Sequence, residues 1–304
     1  MNTTPSEGER DPTPAGRFGA VIGIDDPADP RVGDFVALND PDLRRLRERS
    51  GGAEGGFLIA EGALVIRQLL ASPYRVRALF LTPRRLDDLA ADLAGVEAPV
   101  YVAAAEVVNA VSGFHLHRGA LASADRRPLA PAAELVAHAE LIVMTESVND
   151  HENLGALFRN SAAFGVGAVL LDPTSADPLY RRSVRVSMGQ VLRVPFTRTG
   201  PWPAAVDEMR NQGYEVLALT PAADAEDVAT VARRPRQVLL VGAEGPGLSP
   251  AALAAADRRV RIPMAAGVDS LNVATAAAVA LHHLAQVHRK RGQWRGARRA
   301  TTRR

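Results

Sequence analysis

Three separated stretches carry polar residues that a helix or strand does not need for its own sake: Asn149-Asp-His-Glu-Asn153 with Arg159 and Asn160 beyond it, Val241-Gly-Ala-Glu-Gly-Pro-Gly-Leu-Ser249, and Asp269-Ser-Leu-Asn272. Amide, carboxylate, hydroxyl and guanidinium groups of this kind orient a ligand and stabilise developing charge. The three glycines of the middle stretch permit positive φ and let a backbone come close to something. Glu244 in the middle of such a turn is unexpected, since glutamate is a poor turn residue. The stretch is not a phosphate-cradling loop, because GxxxxGK[ST] needs a lysine and the only lysine here is Lys290. GxGxxG is also missing, which disfavours a nicotinamide dehydrogenase. A serine hydrolase using Ser249 or Ser270 with His282 or His283 would lack the GxSxG elbow.

Elements that place these residues follow from the apolar pattern. Asp40-Pro41 marks a helix start, and then Phe57–Ala60, Val76–Leu81 and Val100–Val102 read as strands, with helices over 62–70 and 83–93. This small α/β unit closes near Gly119–Ser123, and Asp125–Pro131 reads as a linker. A second unit follows, with strands at 141–145, 168–171, 194–196, 215–219 and 237–241. Helices over 154–164, 178–188 and 203–212, one opened by Ser249-Pro250, and a last one over 273–288 complete it. Strands alternating with helices imply parallel pairing with both faces covered. The three polar stretches then fall at strand ends, where open α/β sheets bind ligands. Purely structural readings stand beside these: Asn153 as a helix cap, Arg159 as a surface residue, and Ser270 as the cap of the last helix.

With 304 residues and 47% apolar content the chain can bury one good core or two modest ones, with two domains the expectation. Its longest apolar runs are strand-sized, and the opening MNTTPSEGERDPTP has no apolar core region, so we expect no membrane span, no secretory signal and a cytoplasmic protein. Residues 1–34, rich in Pro, Gly and Asp, are expected to be mobile. Absence of cysteine excludes disulfides, thiolate zinc sites and a cysteine nucleophile; no metal is expected. Residues 288–304 hold eight Lys or Arg and no acid, and taking those eight from the formal +2 leaves −6 for residues 1–287. That basic tail (289–304) suits a phosphate backbone, or serves solubility.

Together, Asn153-Leu-Gly-Ala-Leu-Phe-Arg159, Val241–Ser249 and Ile262-Pro-Met264 with Asp269-Ser-Leu-Asn-Val273 resemble the three ordered motifs of the SpoU (TrmH-like) RNA 2′-O-ribose methyltransferases of the SPOUT superfamily. The likeness covers roughly residues 140–288, and Ser183–Gln190 also resembles the family's segment there. The first unit, with Phe57-Leu-Ile-Ala-Glu-Gly and His117-Arg-Gly-Ala-Leu-Ala, looks like the ribosomal-protein-like substrate-binding domain of many members. The resemblance implies an α/β protein: an RNA-binding domain over 35–125, then over 135–288 a SPOUT-type parallel sheet with a deep trefoil knot.

It further implies S-adenosylmethionine as cofactor, held by Gly242, Gly245, Ile262, Met264 and Leu271. Arg159, Asn153, Glu244, Ser270 and Asn272 would be catalytic, in a homodimer with sites at the interface. Arg159 is the implied activator of the 2′-hydroxyl. Deprotonating an arginine near pH 7 costs roughly 7–9 kcal/mol, so a cation that fixes a phosphate and stabilises alkoxide charge is the better role. Asn153 would orient it, Ser270 and Asn272 would fix the ribose or the neighbouring loop, and Glu244 would tie the loops together. The chain departs from the family where Asp150-His151-Glu152 replaces Asp-Pro, and where Asn160 replaces a Thr. His151 is thus a local base candidate or an exposed loop histidine. RNA is the expected partner, ribosomal in preference to transfer RNA, without DNA; a non-catalytic RNA-binding SPOUT-fold protein is the alternative.

Overall fold

A computed structural model describes residues 19–40 and 56–285. Two sheets carry the chain. The first has five strands in the order β1-β4-β3-β5-β2. They are β1 (Val21–Gly23), β2 (Phe57–Glu61), β3 (Val76–Leu81), β4 (Val100–Val102) and β5 (Ala120–Asp125), interleaved with α1 (Ala63–Leu70), α2 (Pro83–Leu89) and α3 (Ala105–Ser112). β1, β4 and β3 run parallel; β5 pairs antiparallel with β3 and β2.

Residues 19–34 are not the mobile segment expected from composition. Val21–Gly23 pair with Val100–Val102, and Ile24, Val32 and Phe35 are buried with Phe80 and Leu121. Ile24, Val32 and Phe35 are spaced too widely for any period to show, and only the tertiary partner makes a strand of three residues worthwhile. The first sheet therefore begins before residue 35. The helix start at Asp40-Pro41 lies outside the described residues from Pro41 onward, as does the basic tail.

The second sheet has seven parallel strands in the order β10-β12-β9-β11-β6-β7-β8. Their ranges are β6 (Leu141–Glu146), β7 (Ala168–Leu171), β8 (Phe196–Arg198), β9 (Glu215–Leu219), β10 (Glu226–Asp227), β11 (Gln237–Gly242) and β12 (Arg258–Arg261). The helices are α4 (Ala132–Val136), α5 (His151–Ala163), α6 (Arg181–Val186), α7 (Ala204–Asn211), α8 (Pro250–Ala255) and α9 (Val273–Leu284). β6 and β11 are buried along their whole length, as central strands of a doubly covered sheet must be. Arg258-Arg-Val-Arg gave no strand signal, because only Val260 is buried there. Its charges are matched instead by Glu226, Glu215 and Asp224, as befits a strand near a sheet edge.

Asp125–Pro131, read as a linker, is anchored. The Arg126 side chain is almost fully buried and its guanidinium meets Asp177 at 2.5 Å, while its amide donates to the Gly56 carbonyl. One buried cluster runs through both sheets, from Leu58, Val65 and Leu69 to Leu157, Val184 and Val191. The seam is fastened by the Arg181 guanidinium, which donates to Glu61 (2.7 Å) and to the Asn39 amide oxygen (2.9 Å) and lies over the Phe114 ring.

Candidate functional site

An open-sided cleft of about 690 Å³ lies where β9, β11 and β12 end. Its walls are Leu219–Pro221, Val241–Gly245, Gly247, Ile262, Met264, Ser270, Leu271 and the first turn of α9. Five residues expected to hold a cofactor, Gly242, Gly245, Ile262, Met264 and Leu271, thus share one cavity with Ser270 and Glu244. Leu219, Thr220 and Pro221 were missed; their signal was their place at the end of β9. Its lining is mostly apolar side chain and backbone and contains neither lysine nor arginine.

The glycines of the turn serve two ends. A Cβ on Gly242 would stand 2.3 Å from the Gly247 carbonyl carbon, so the loop folds back against its own first glycine. Gly247 N–H donates to the Ala243 carbonyl at 3.0 Å, which closes that fold. Gly245 and Gly247 take φ of +88° and +71° and face open space. They supply the reversed backbone, whereas Gly242 is required by the approach of its own loop.

The three polar stretches meet through hydrogen bonds of fixed direction. Asn272 caps α9, its Oδ1 accepting from the amides of Ala274 (3.0 Å) and Thr275 (3.2 Å). Its Nδ2 donates to Asn153 Oδ1 at 2.6 Å, and Asn153 Nδ2 donates to Glu244 Oε2 at 2.8 Å. A backbone amide can only donate and an ionised carboxylate can only accept, so both intervening amides have one permitted orientation. The α9 N-terminus therefore leads, through two amides, to one carboxylate. Expected capping roles change accordingly: α5 starts at His151 with Asp150 as its cap, accepting from Glu152 and Asn153 N–H, and the cap of α9 is Asn272 rather than Ser270. Asn160, the departure from the family pattern, donates to the Ala274 carbonyl (2.8 Å) and ties α5 to the same turn of α9.

Behind this relay two buried carboxylates hold the loops. Asp172, 2% exposed and just past β7, accepts from the amides of Ser147 (2.9 Å), Thr174 (3.0 Å) and Ser175 (3.0 Å) and from both hydroxyls of Thr174 and Ser175. Burial pushes its carboxyl up, but the hydrogen bonds from Ser175, Thr174 and Ser147 together hold it below the usual carboxylate value. Having given its one proton to Asp172, Ser175 Oγ accepts from the Val148 amide and from the Thr145 hydroxyl. The turn that leads into Asp150 is thereby set. Glu146, at the end of β6, accepts from Trp202 Nε1 (2.6 Å) and Ser249 N–H (2.7 Å), fixing the far end of the glycine turn. Neither acid was singled out in the sequence; each is the polar residue that closes or follows an apolar strand.

Arg159 stands apart. It is exposed on α5, outside the cleft lining and the relay, and six positions after Asn153 it points about 240° around the helix. His151 is not an exposed loop histidine: it opens α5, half-buried, with its ring edge-on to Tyr180 at 4.4 Å between centroids. The hydrolase reading finds no support, since Ser249 Oγ accepts from the Ala252 amide and His283 Nε2 meets the Val231 carbonyl. Among the described residues no group of His, Asp and Glu could hold a metal, and no helix is long and apolar enough to cross a membrane.

Residues 140–282, which contain the cleft and the relay, match the SpoU rRNA methylase family. An uncharacterised tRNA/rRNA methyltransferase of Mycobacterium tuberculosis is 52% identical over 266 residues, covering 86% of this chain and 91% of its own. The chain belongs to this family. It is an RNA methyltransferase, and S-adenosylmethionine is its methyl donor. Within the family, a 23S rRNA (guanosine-2′-O)-methyltransferase of Bacillus subtilis is 26% identical, covering 80% of this chain and 94% of its own. The crystal structure of an AdoMet-bound rRNA methyltransferase from Sinorhizobium meliloti superposes with a TM-score of 0.71 at 26% identity, covering 88% of this chain and 98% of that one. The parallel α/β sheet read from the sequence is therefore the family's.

Proposed function

We propose that the protein methylates a ribose 2′-hydroxyl in RNA, ribosomal rather than transfer RNA. The observation that carries this reading is the relay from Asn272 through Asn153 to Glu244 at the cleft. It joins all three polar stretches beside a cavity whose walls suit a donor without phosphate: apolar side chains, exposed backbone, one acid and no lysine or arginine. Gly242, Gly245, Ile262, Met264 and Leu271 would hold S-adenosylmethionine, which supplies an electrophilic methyl group when bound.

The chain's own residues do the positioning. Glu244 and Asn153 lock the glycine turn to α5, and Asn272 locks the Asp269–Asn272 loop to both. Ser270 stands in the wall where the ribose would approach. Arg159, a permanent cation, stabilises alkoxide charge and fixes the adjacent phosphate. Its distance from the relay within one protomer accords with a homodimer whose site is completed across the interface. Exposed Val268, Leu271 and Val279, on the loop and helix beside the cleft, supply an apolar surface for such contact. From Gln237 to Leu284 the path suits the deep trefoil knot that the resemblance implies. It leaves central β11, adds β12 toward the sheet edge and returns beside the glycine turn into α9, which packs on α5.

The test is methyl transfer to ribosomal RNA, with 2′-O-methyl positions mapped in RNA from cells with and without the protein. A single ribose methyl that disappears with the gene is expected. A methyl on a base, or calorimetry that detects no S-adenosylmethionine binding, would end the reading.

A further inference from the structure

Away from the methyl-transfer cleft, the first sheet carries a second cavity, of about 640 Å³, between the start of α2 and the loop leading into β5. Arg84, Arg85, His115, His117 and Arg118 line it, and no acidic residue does. Its shape is built: Asn109 Oδ1 holds the Leu116 amide at 2.8 Å, and Arg85 Nε donates to the Arg118 carbonyl at 2.7 Å. Arg85 also pairs with Asp88, so its charge is partly spent on the fold. Arg84, His115, His117 and Arg118 are exposed, and the two imidazoles lie against each other at 4.5 Å between centroids.

From the rim of this cavity a series of contacts leads to the seam between the two sheets. The Arg118 side chain lies against Gly62, so closely that a Cβ there would meet its Cδ at 2.8 Å. The preceding residue, Glu61, is 5% exposed and clasps Arg181 at 2.7 Å and Arg185 at 3.7 Å across the seam. α6 then packs on α5 at Gly155, where a Cβ would stand 2.8 Å from the Ser183 carbonyl oxygen. One turn beyond Gly155, on the same side of α5, is Arg159.

We infer that Arg84, His115, His117 and Arg118 form a phosphodiester-binding cleft, from which one RNA strand runs over Arg185 at the seam to Arg159 on the same protomer. The inference rests on the reading of the protein as an RNA methyltransferase and adds where the rest of the substrate lies. A backbone held at both ends of a rigid seam enters the methyl-transfer site in a fixed register. Most contacts to a phosphate backbone position a nucleic acid without reading its sequence, and arginine forks suit them.

The experiment measures affinity for a ribosomal RNA transcript against salt concentration for the full chain, for Arg84→Gln with Arg118→Gln, and for Arg259→Gln on the far edge strand as control. Each lost phosphate contact lowers the slope of log K against log salt by about 0.7 to 0.9, so the double variant is expected to fall by about 1.4 to 1.8. S-adenosylmethionine affinity and thermal midpoint should stay at the full chain's values. An unchanged slope in a double variant that still binds and methylates RNA overturns this inference alone. Failure of the unaltered protein to bind RNA at all overturns the functional reading with it. An equal fall in the Arg259→Gln control shows a diffuse charge effect, and the cleft is then not the site.

Discussion

Replacing Asn153 by aspartate keeps the size and shape of the side chain and changes one property, the direction of a hydrogen bond. Asn153 Oδ1 would still accept from Asn272, but the atom that now donates to Glu244 at 2.8 Å would become an oxygen facing an oxygen. Two carboxylates with charge centres about 4 Å apart repel by about 1 kcal/mol in water and about 4 kcal/mol at a protein surface with effective dielectric near 20. Both side chains are partly open to solvent, which places the effect toward the lower end, on the order of a tenfold loss per 1.4 kcal/mol. Donor affinity by calorimetry and kcat/KM for methyl transfer should both fall, because the glycine turn and α5 are pushed apart. Glu244→Gln in the same chain restores a donor to the pair and should recover most of the donor affinity, a coupling that a double-mutant cycle measures directly. Wild-type affinity in the single variant, or a double variant no better than the single one, would refute the relay as the element that holds the site together.

Other perturbations separate the remaining parts. Gly242→Ala should abolish donor binding and lower the thermal midpoint, because the new Cβ overlaps the Gly247 carbonyl carbon, while Gly245→Ala adds only strain of about 1–2 kcal/mol from its φ of +88°; thermal melts with and without donor distinguish them. Asp172 has a folded carboxyl below its ordinary value, so its stabilisation is present above about pH 4 and is lost as pH falls through the folded value. Urea denaturation from pH 7 to pH 2 should show a flatter acid limb in Asp172→Asn, with lower stability at neutral pH. Arg159→Ala should leave calorimetric donor affinity unchanged and reduce methyl transfer by at least tenfold; full turnover would remove Arg159 from the chemistry.

How much of this was legible depended on whether local pattern or tertiary partner decided the outcome. Apolar runs such as Leu141–Glu146 and Gln237–Gly242 announced central strands, because burial on both faces leaves one composition possible. Val21–Gly23 and Arg258–Arg261 stayed hidden, since their strand character comes from neighbours in the sheet and from acids supplied by the adjacent strands. The cleft residues stood out as polar or glycine-rich breaks at strand ends, but the bonds among them did not: nothing in the sequence says that Asn272 and Asn153 share a proton direction with Glu244 across 119 and 91 residues. Asp150 lost its capping role to Asn153 in the reading because the apolar face begins only at Leu154, three residues after the helix does. Glu146 and Asp172 were illegible for the opposite reason, being single acids at strand ends, each joined to a distant segment by a donor, Trp202 for Glu146 and the Ser147 amide for Asp172, that no local pattern reveals.

The shared interior has a consequence for the molecule as a whole. Leu58, Val65 and Leu69 on one side and Leu157, Val184 and Val191 on the other belong to one apolar mass with no aqueous boundary between them. Excising the N-terminal half would strip the covering from the flank of the methylase half and leave Arg181 without its acid. The two halves should consequently melt in one calorimetric transition and resist separation by protease, so that this lineage could lose or exchange its first unit only by resurfacing residues 181–194 at the same time.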